Sequence, residues 1–282
     1  MEHATGTLTA ADGTELFTRT WQPDGPVRAA VVVVHGIHEH TGRYAYLASA
    51  LMRAGIEVHA LDLRGHGQSG GERAMVETFE EYVADLDLYL DHVRGGVGEV
   101  PLFLLGHSMG GLVVASYVVA EGTDGLAGVA LFSPMLEYAD QPAWLLKLAP
   151  ILSKWAPRLP AGRVDLSLLS RDPVVARAYR EDPLNHLGGG KARLGAEMHR
   201  MGQHVLAHPE AFDVPLYLVH GTADAITSHE ATARFAGEVA SDDVTLTLYE
   251  GYYHETFREP ERDAVLGALA DWLVAHAEPA PA

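Results

Sequence analysis

Cysteine is absent from all 282 residues, which excludes disulfides, a thiol nucleophile and thiolate metal ligation together. Bases are scarce beside acids: 20 Lys and Arg face 38 Asp and Glu, for a formal charge of −18. A surface of that sign repels phosphate backbones and anionic lipid, so neither nucleic acid nor an anionic membrane is expected as the main partner, and solubility is the simpler meaning of the charge. No apolar run approaches the ~20 residues that span a bilayer. The start of the chain, Met1 to Thr7, has neither a basic stretch nor an apolar core, which predicts no signal peptide and a cytoplasmic location. Apolar residues, by contrast, make up 48% of the chain, enough for one large α/β domain with room for an inserted subdomain.

Hydrophobic patterning predicts the order of elements. Strands are expected at 14–21, 29–34, 57–61, 101–105, 128–132, 215–219 and 244–248. The β-branched run at 29–34 reads as a strand buried on both faces. Helices are expected at about 44–54, 77–93, 112–120, 230–239 and 261–275, the second placing Phe79, Val83, Leu86 and Leu90 on one face. This alternation predicts a mostly parallel sheet covered by helices on both sides. It breaks between Met135 and His208, where prolines recur and no strand pattern is visible. The economical division is a core of 1–134 and 209–282 with a helical cap inserted at 135–208. Within the cap, Trp144, Leu145, Leu148, Ile151, Leu152 and Trp155 recur at helical spacing. That stripe fits packing of the cap on the core, or an acyl-chain channel or lipid-facing lip.

The chemistry is concentrated in Gly106-His107-Ser108-Met109-Gly110, set behind the apolar strand and before a helix. Gly-x-Ser-x-Gly in that context is a nucleophile elbow: two glycines allow a sharp turn that lifts the serine hydroxyl above the sheet edge. The following helix aims free N–H groups at the place where an acyl oxyanion would form. A serine alcohol needs a base, and the base needs a carboxylate to hold its tautomer. In the order Ser, acid, His, Asp224 and His254 each follow a core strand at the sheet's carboxyl end, whereas Asp242 and Asp243 precede one. The expected oxyanion donors are the backbone N–H groups of Met109 and of Ile37, in the loop after the 29–34 strand.

Two other patterns are weaker. Gly65 to Gly70 matches Gly-x-Gly-x-x-Gly, and Gly67 to Gly71 matches Gly-x-Ser-x-Gly, but no helix follows directly and a polar loop separates Ser69 from its strand. A structural turn is expected there. His35, His38 and His40 with Glu39 suggest a metal site, yet the spacing fits neither zinc-protease pattern, and loop shaping or substrate contact is the better assignment.

Taken together, the chain resembles the monoacylglycerol lipase family of the α/β-hydrolases. The resemblance rests on His35-Gly36, Glu39 to Tyr44, Asp62 to Ser69, Gly106 to Gly111, Ser170 to Pro173, Tyr179, Asp182 to Leu184, His220 to Asp224 and Tyr249 to Glu255. It implies the α/β-hydrolase fold, a triad of Ser108, Asp224 and His254, and an oxyanion hole at Ile37 and Met109. It places Glu39, Arg43, His107 and Tyr179 where the family contacts the glycerol end, and it implies a cap with an apolar rim that approaches lipid. His38 departs from the family, which commonly has a small residue there, and this bears on pocket width and head-group preference. The expected activity is hydrolysis of a monoacylglycerol or similar single-chain ester, without metal or organic cofactor. The expected partner is a lipid ester, with transient contact of the cap with membrane. The alternatives are a lysophospholipase or broad carboxylesterase, a non-catalytic hydrolase-like binding protein and, behind these, a nicotinamide oxidoreductase.

Overall fold

Alternate residues of the valine-rich run feed two different cores. In a computed structural model of the chain, which describes residues 3–277, this run is the strand β3 (Ala29–Val34), and all six residues are fully buried. Side chains of a strand alternate between faces, so Ala30, Val32 and Val34 enter one apolar cluster while Ala29, Val31 and Val33 enter the other. The remaining strands are β1 (Ala4–Thr9), β2 (Glu15–Trp21), β4 (Ile56–Leu61), β5 (Leu102–His107), β6 (Gly128–Phe132), β7 (Leu216–Gly221) and β8 (Val244–Tyr249). They form one sheet ordered β1-β2-β4-β3-β5-β6-β7-β8. The pairs β1–β2 and β2–β4 are antiparallel, and every pair from β4 to β8 is parallel.

Helices cover both faces, as the alternation predicts. One cluster is closed by α1 (Ala45–Arg53) and by α8 (Arg262–Ala277), whose Val265, Leu266, Leu269 and Leu273 are buried. The other is closed by α2 (Glu80–Val97), α3 (Met109–Glu121) and α7 (His229–Ala236). Every residue of α3 from Met109 to Val118 is buried, so this helix is apolar all round and lies inside the molecule. The helix α2 starts later than the periodicity predicts because the Glu81 carboxylate accepts the N–H groups of Glu77 and Thr78, capping the chain ahead of it.

Between β6 and β7 the chain forms α4 (Ala143–Trp155), α5 (Pro173–Glu181) and α6 (Ala192–Leu206), with no strand beyond two isolated bridges. Leu194, Met198, Met201 and Val205 of α6 join the cluster under α3. The stripe expected on one face of α4 divides in two. Trp144, Leu148, Ile151 and Trp155 are exposed, with Trp144 at 66% and Trp155 at 80%, whereas Leu145 and Leu152 turn inward to line a cavity. Among the described residues no helix is long and apolar enough to cross a membrane.

Candidate active site

The chain reverses at one residue. β5 ends at His107 and α3 begins at Met109, so Ser108 takes the turn alone, with φ 54° and ψ −121°. A non-glycine residue held there stores on the order of 1–3 kcal/mol and persists only where its surroundings dictate it. Here the Ser108 N–H donates to the Phe132 carbonyl at 3.0 Å, and its own carbonyl accepts from Leu112 and Met135 at 3.1 and 3.0 Å. The flanking glycines are required by close approach. A Cβ on Gly110 would run into the carbonyl oxygens of Val34 and His35, and one on Gly106 into that of Gly110.

Asp224 sits three residues beyond the end of β7, inside a ring of donors. Its Oδ1 accepts the N–H groups of Ile226 and Thr227 at 2.8 and 3.1 Å, and its Oδ2 accepts the Thr227 hydroxyl at 2.8 Å. His254 Nδ1 lies 2.7 Å from the same Oδ2, and His220 Nε2 lies 3.1 Å from it. Burial works against the Asp224 carboxylate, but His254 and the His220 hydrogen bond hold it well below the usual carboxylate range. Burial likewise works against charged His254. The Asp224 carboxylate and its hydrogen bond prevail, with Glu255 and Glu39 farther off, and hold the imidazole above its ordinary value. His220, Thr227 and Glu255 carry much of this geometry, yet position along strands does not reveal them. Their roles come from loop closure: the turn after β7 folds the Thr227 N–H and hydroxyl back onto Asp224, and Glu255 joins the site through Arg43.

Beside the serine, Glu39 anchors the loop after β3. It accepts the Gly36 N–H at 2.7 Å and the Tyr44 hydroxyl at 2.8 Å, and it pairs with Arg43. Arg43 also makes a two-point contact with Glu255 at 2.8 and 2.9 Å and places its guanidinium 4.5 Å from the Tyr179 ring centre. Burial alone would raise the Glu39 carboxyl, but Arg43 and then His107 hold it well below the usual range. The His107 ring lies 4.9 Å from that of His254, and its Nδ1 is 3.1 Å from the Tyr44 hydroxyl. The loop carrying His254 is tied to the segment between β6 and β7 through Glu255 N–H to the Leu169 carbonyl, at 2.7 Å.

The structure brings all nine predicted site residues together. Ser108, His254, Ile37, Glu39, Arg43, His107 and Tyr179 line one small cavity of about 30 Å3. Met109 lines a second cavity of about 290 Å3 that also reaches Ser108 and Ile37, and Asp224 stands behind His254. No direct hydrogen bond joins the Ser108 and His254 side chains among the described residues. The N–H of Met109 is the first of α3, and like that of Ile37 it has no hydrogen-bond partner among the described residues. The second cavity meets a third of about 370 Å3 at Tyr138, Gln141 and Gly195, and there Leu145, Leu146 and Leu152 form an apolar wall.

The weaker patterns resolve as structure. Ser69 accepts the Phe17 N–H at 2.8 Å, and Asp62 accepts the N–H groups of Thr41 and Gln68 at 2.7 and 2.8 Å, which makes the glycine-rich segment a turn. The three histidines of the first loop diverge: His35 accepts from Leu63, His40 meets Asp182, and His38 rests against His186. Among the described residues no group of three His, Asp or Glu could hold a metal ion.

Comparison with known proteins agrees with this architecture. Residues 25–261 match the family model described as serine aminopeptidase, S33. The chain is 36% identical to a monoacylglycerol lipase of Mycolicibacterium smegmatis, over 94% of each chain. It is 37% identical to the monoglyceride lipase of Homo sapiens, over 94% of this chain and 89% of that one. The crystal structure of a Paleococcus ferrophilus monoacylglycerol lipase superposes with a TM-score of 0.82 at 33% identity, covering 98% of this chain and 100% of the other. The chain therefore belongs to the monoacylglycerol lipase family of the α/β-hydrolase superfamily.

Proposed function

We propose that the protein hydrolyses monoacylglycerols to a fatty acid and glycerol, with Ser108 as nucleophile, His254 as general base and Asp224 as the group that orients it. The observation that carries this reading is a serine on a strained elbow sharing a cavity with an imidazole that a buried carboxylate holds at 2.7 Å. The Nδ1 contact with Asp224 leaves Nε2 as the atom that takes the serine proton. Catalytic hydrogen bonds commonly tighten only once substrate is seated, so the serine and histidine side chains pair in the substrate complex.

Attack of the Ser108 hydroxyl on the ester carbonyl gives an oxyanion received by the N–H groups of Ile37 and Met109; each such donor contributes roughly 3 kcal/mol in the transition state. Glu39 sets the first of these by holding the Gly36 N–H. His254 then gives its proton to the leaving glycerol, and water repeats the cycle on the acyl-enzyme. The polar end, Glu39, Arg43, His107 and Tyr179, takes the glycerol hydroxyls, and the apolar cavity beneath α4 takes the chain. Segment 135–208 acts as the cap over this site. Its exposed Trp144, Ile151 and Trp155, with Lys147 and Lys154 beside them, form a lip that meets lipid surfaces.

The test is turnover of a monoacylglycerol by the wild type and by Ser108→Ala. The variant should fold normally and lose on the order of a millionfold in kcat. Retention of most activity would remove the assignment.

A further inference from the structure

Beyond the alcohol pocket lies a cavity of about 220 Å3 lined by Arg163, Arg180, His38 and His186, with Val164 and Tyr179 forming the wall it shares with the Ser108 cavity. No carboxylate lines it. That is unusual in a chain with 38 acids against 20 Lys and Arg. Elsewhere Arg43, Arg64, Arg171, Arg200 and Arg234 each hold an acid. Neither the Arg163 nor the Arg180 side chain has an ion pair or hydrogen bond among the described residues. Two carboxylates close in sequence are already engaged: Asp165 accepts the N–H and hydroxyl of Ser167 at 2.9 and 2.8 Å, and Asp182 accepts Leu184 N–H at 2.9 Å and meets His40.

A third group makes the cavity more than a pair of surface cations. His38 is only 5% exposed, has a φ of 66°, and its Nε2 has no hydrogen-bond partner. A buried polar atom left unpaired costs roughly 1–3 kcal/mol. Its backbone is fixed against the same wall, with the carbonyl accepting His186 N–H at 2.9 Å and the two rings 5.4 Å apart, edge to face. Two unpaired guanidinium groups, two imidazoles and no acid form a receptor for a compact anion, and guanidinium suits phosphate oxygens by geometry as well as charge.

We infer that this cavity receives the phosphate of a glycerol phosphate head group, so that the protein cleaves acyl esters of glycerol 3-phosphate as well as those of glycerol. The inference rests on the esterase reading above. The glycerol part keeps its place at Glu39, Arg43 and His107, and the phosphate extends past Tyr179 and Val164 toward Arg163 and Arg180. Only the acyl C–O bond breaks: water supplies hydroxyl to the acid and hydrogen to the alcohol, and the phosphate ester stays intact.

The experiment compares kcat/KM on 1-acylglycerol and 1-acylglycerol 3-phosphate of one short chain length, for the wild type and the double variant Arg163→Gln/Arg180→Gln. The wild type should cleave both. The double variant should lose about tenfold or more on the phosphate ester and less than about twofold on the neutral one, since a charged hydrogen-bonded contact is worth about that factor. Inorganic phosphate should inhibit the phosphate ester's turnover selectively in the wild type. A wild type that cleaves the neutral ester but not the phosphate ester would overturn the inference, as would equal losses on both or equal inhibition of both. Failure of the wild type on both esters would instead remove the esterase reading itself.

Discussion

At Ser108, Asp224 and His254, the spacing in sequence and the spacing in the fold agree, because each residue follows the carboxyl end of a parallel strand. What sequence does not reveal is how strongly the environment tunes them. On the proposed mechanism catalysis requires neutral His254, and the Asp224 carboxylate holds its pKa above the ordinary imidazole value of 6.5. The sign follows directly: a raised pKa keeps the base protonated to higher pH, so the acidic limb of kcat/KM should fall above pH 6.5 rather than at it. A pH profile on a soluble short-chain ester measures this. Asp224→Asn removes the upward pull while burial remains, so its limb should move to lower pH, with kcat down on the order of ten-thousandfold. A limb below pH 6.5 in the wild type would contradict the geometry. His220 and Thr227 went unread because nothing in a linear pattern marks a second histidine and a threonine as partners of the same carboxylate.

Among elements, α4 shows how far periodicity reaches. Helical spacing correctly marks its apolar residues but cannot say that two faces share them, since the inward face exists only because α6 packs opposite it. The outward face, with Trp144 and Trp155 most exposed, has no partner among the described residues. Trp144→Ser/Trp155→Ser should therefore weaken sedimentation with zwitterionic lipid vesicles several-fold and leave turnover of a water-soluble ester within about twofold, because aromatic rings at an interface drive partitioning rather than chemistry. Unchanged vesicle binding would show that α4 does not face lipid. The buried strands were legible for the opposite reason: β3, β5, β6 and β7 are buried along their whole length and carry apolar runs that announce it, whereas β4 is as buried but alternates Glu57 and His59 with apolar residues. The strand β1 was not, because its Thr- and Gly-containing residues are almost all exposed and its place is set by pairing with β2. The start of α2 lies a few residues beyond the expected one because the side chain of Glu81 caps the chain ahead of the apolar pattern.

Across the whole molecule, the same burial that shapes the site sets the response to acid. His35, His66 and His220 are held below the ordinary imidazole pKa chiefly by burial, and His38 is pushed down to about 4 by burial and then by His186. Folded, these groups stay neutral; unfolded, they take protons near pH 6.5. Protons then favour the unfolded chain, so their stabilisation is complete above pH 6.5 and is lost as pH falls through that value, by at most about 1.4 kcal/mol per pH unit for each. His254 acts in reverse, since its raised pKa adds stability below 6.5 that is lost as pH rises through the folded value, and one such group offsets only one of the four. Below about pH 4.5, Glu39 and Asp224 add to the loss, because their carboxyls sit below their unfolded values. One force opposes all of this: acid relieves the repulsion within a chain of charge −18. Surface repulsion is screened over roughly 8 Å at 0.15 M salt, whereas buried imidazoles are not, so the histidines should win at that ionic strength. Calorimetry at constant 0.15 M salt should then give a Tm that is level from pH 7 to 8 and several degrees lower at pH 5. A Tm that rises toward pH 5 would mean that surface charge, not the buried histidines, governs the stability of this fold.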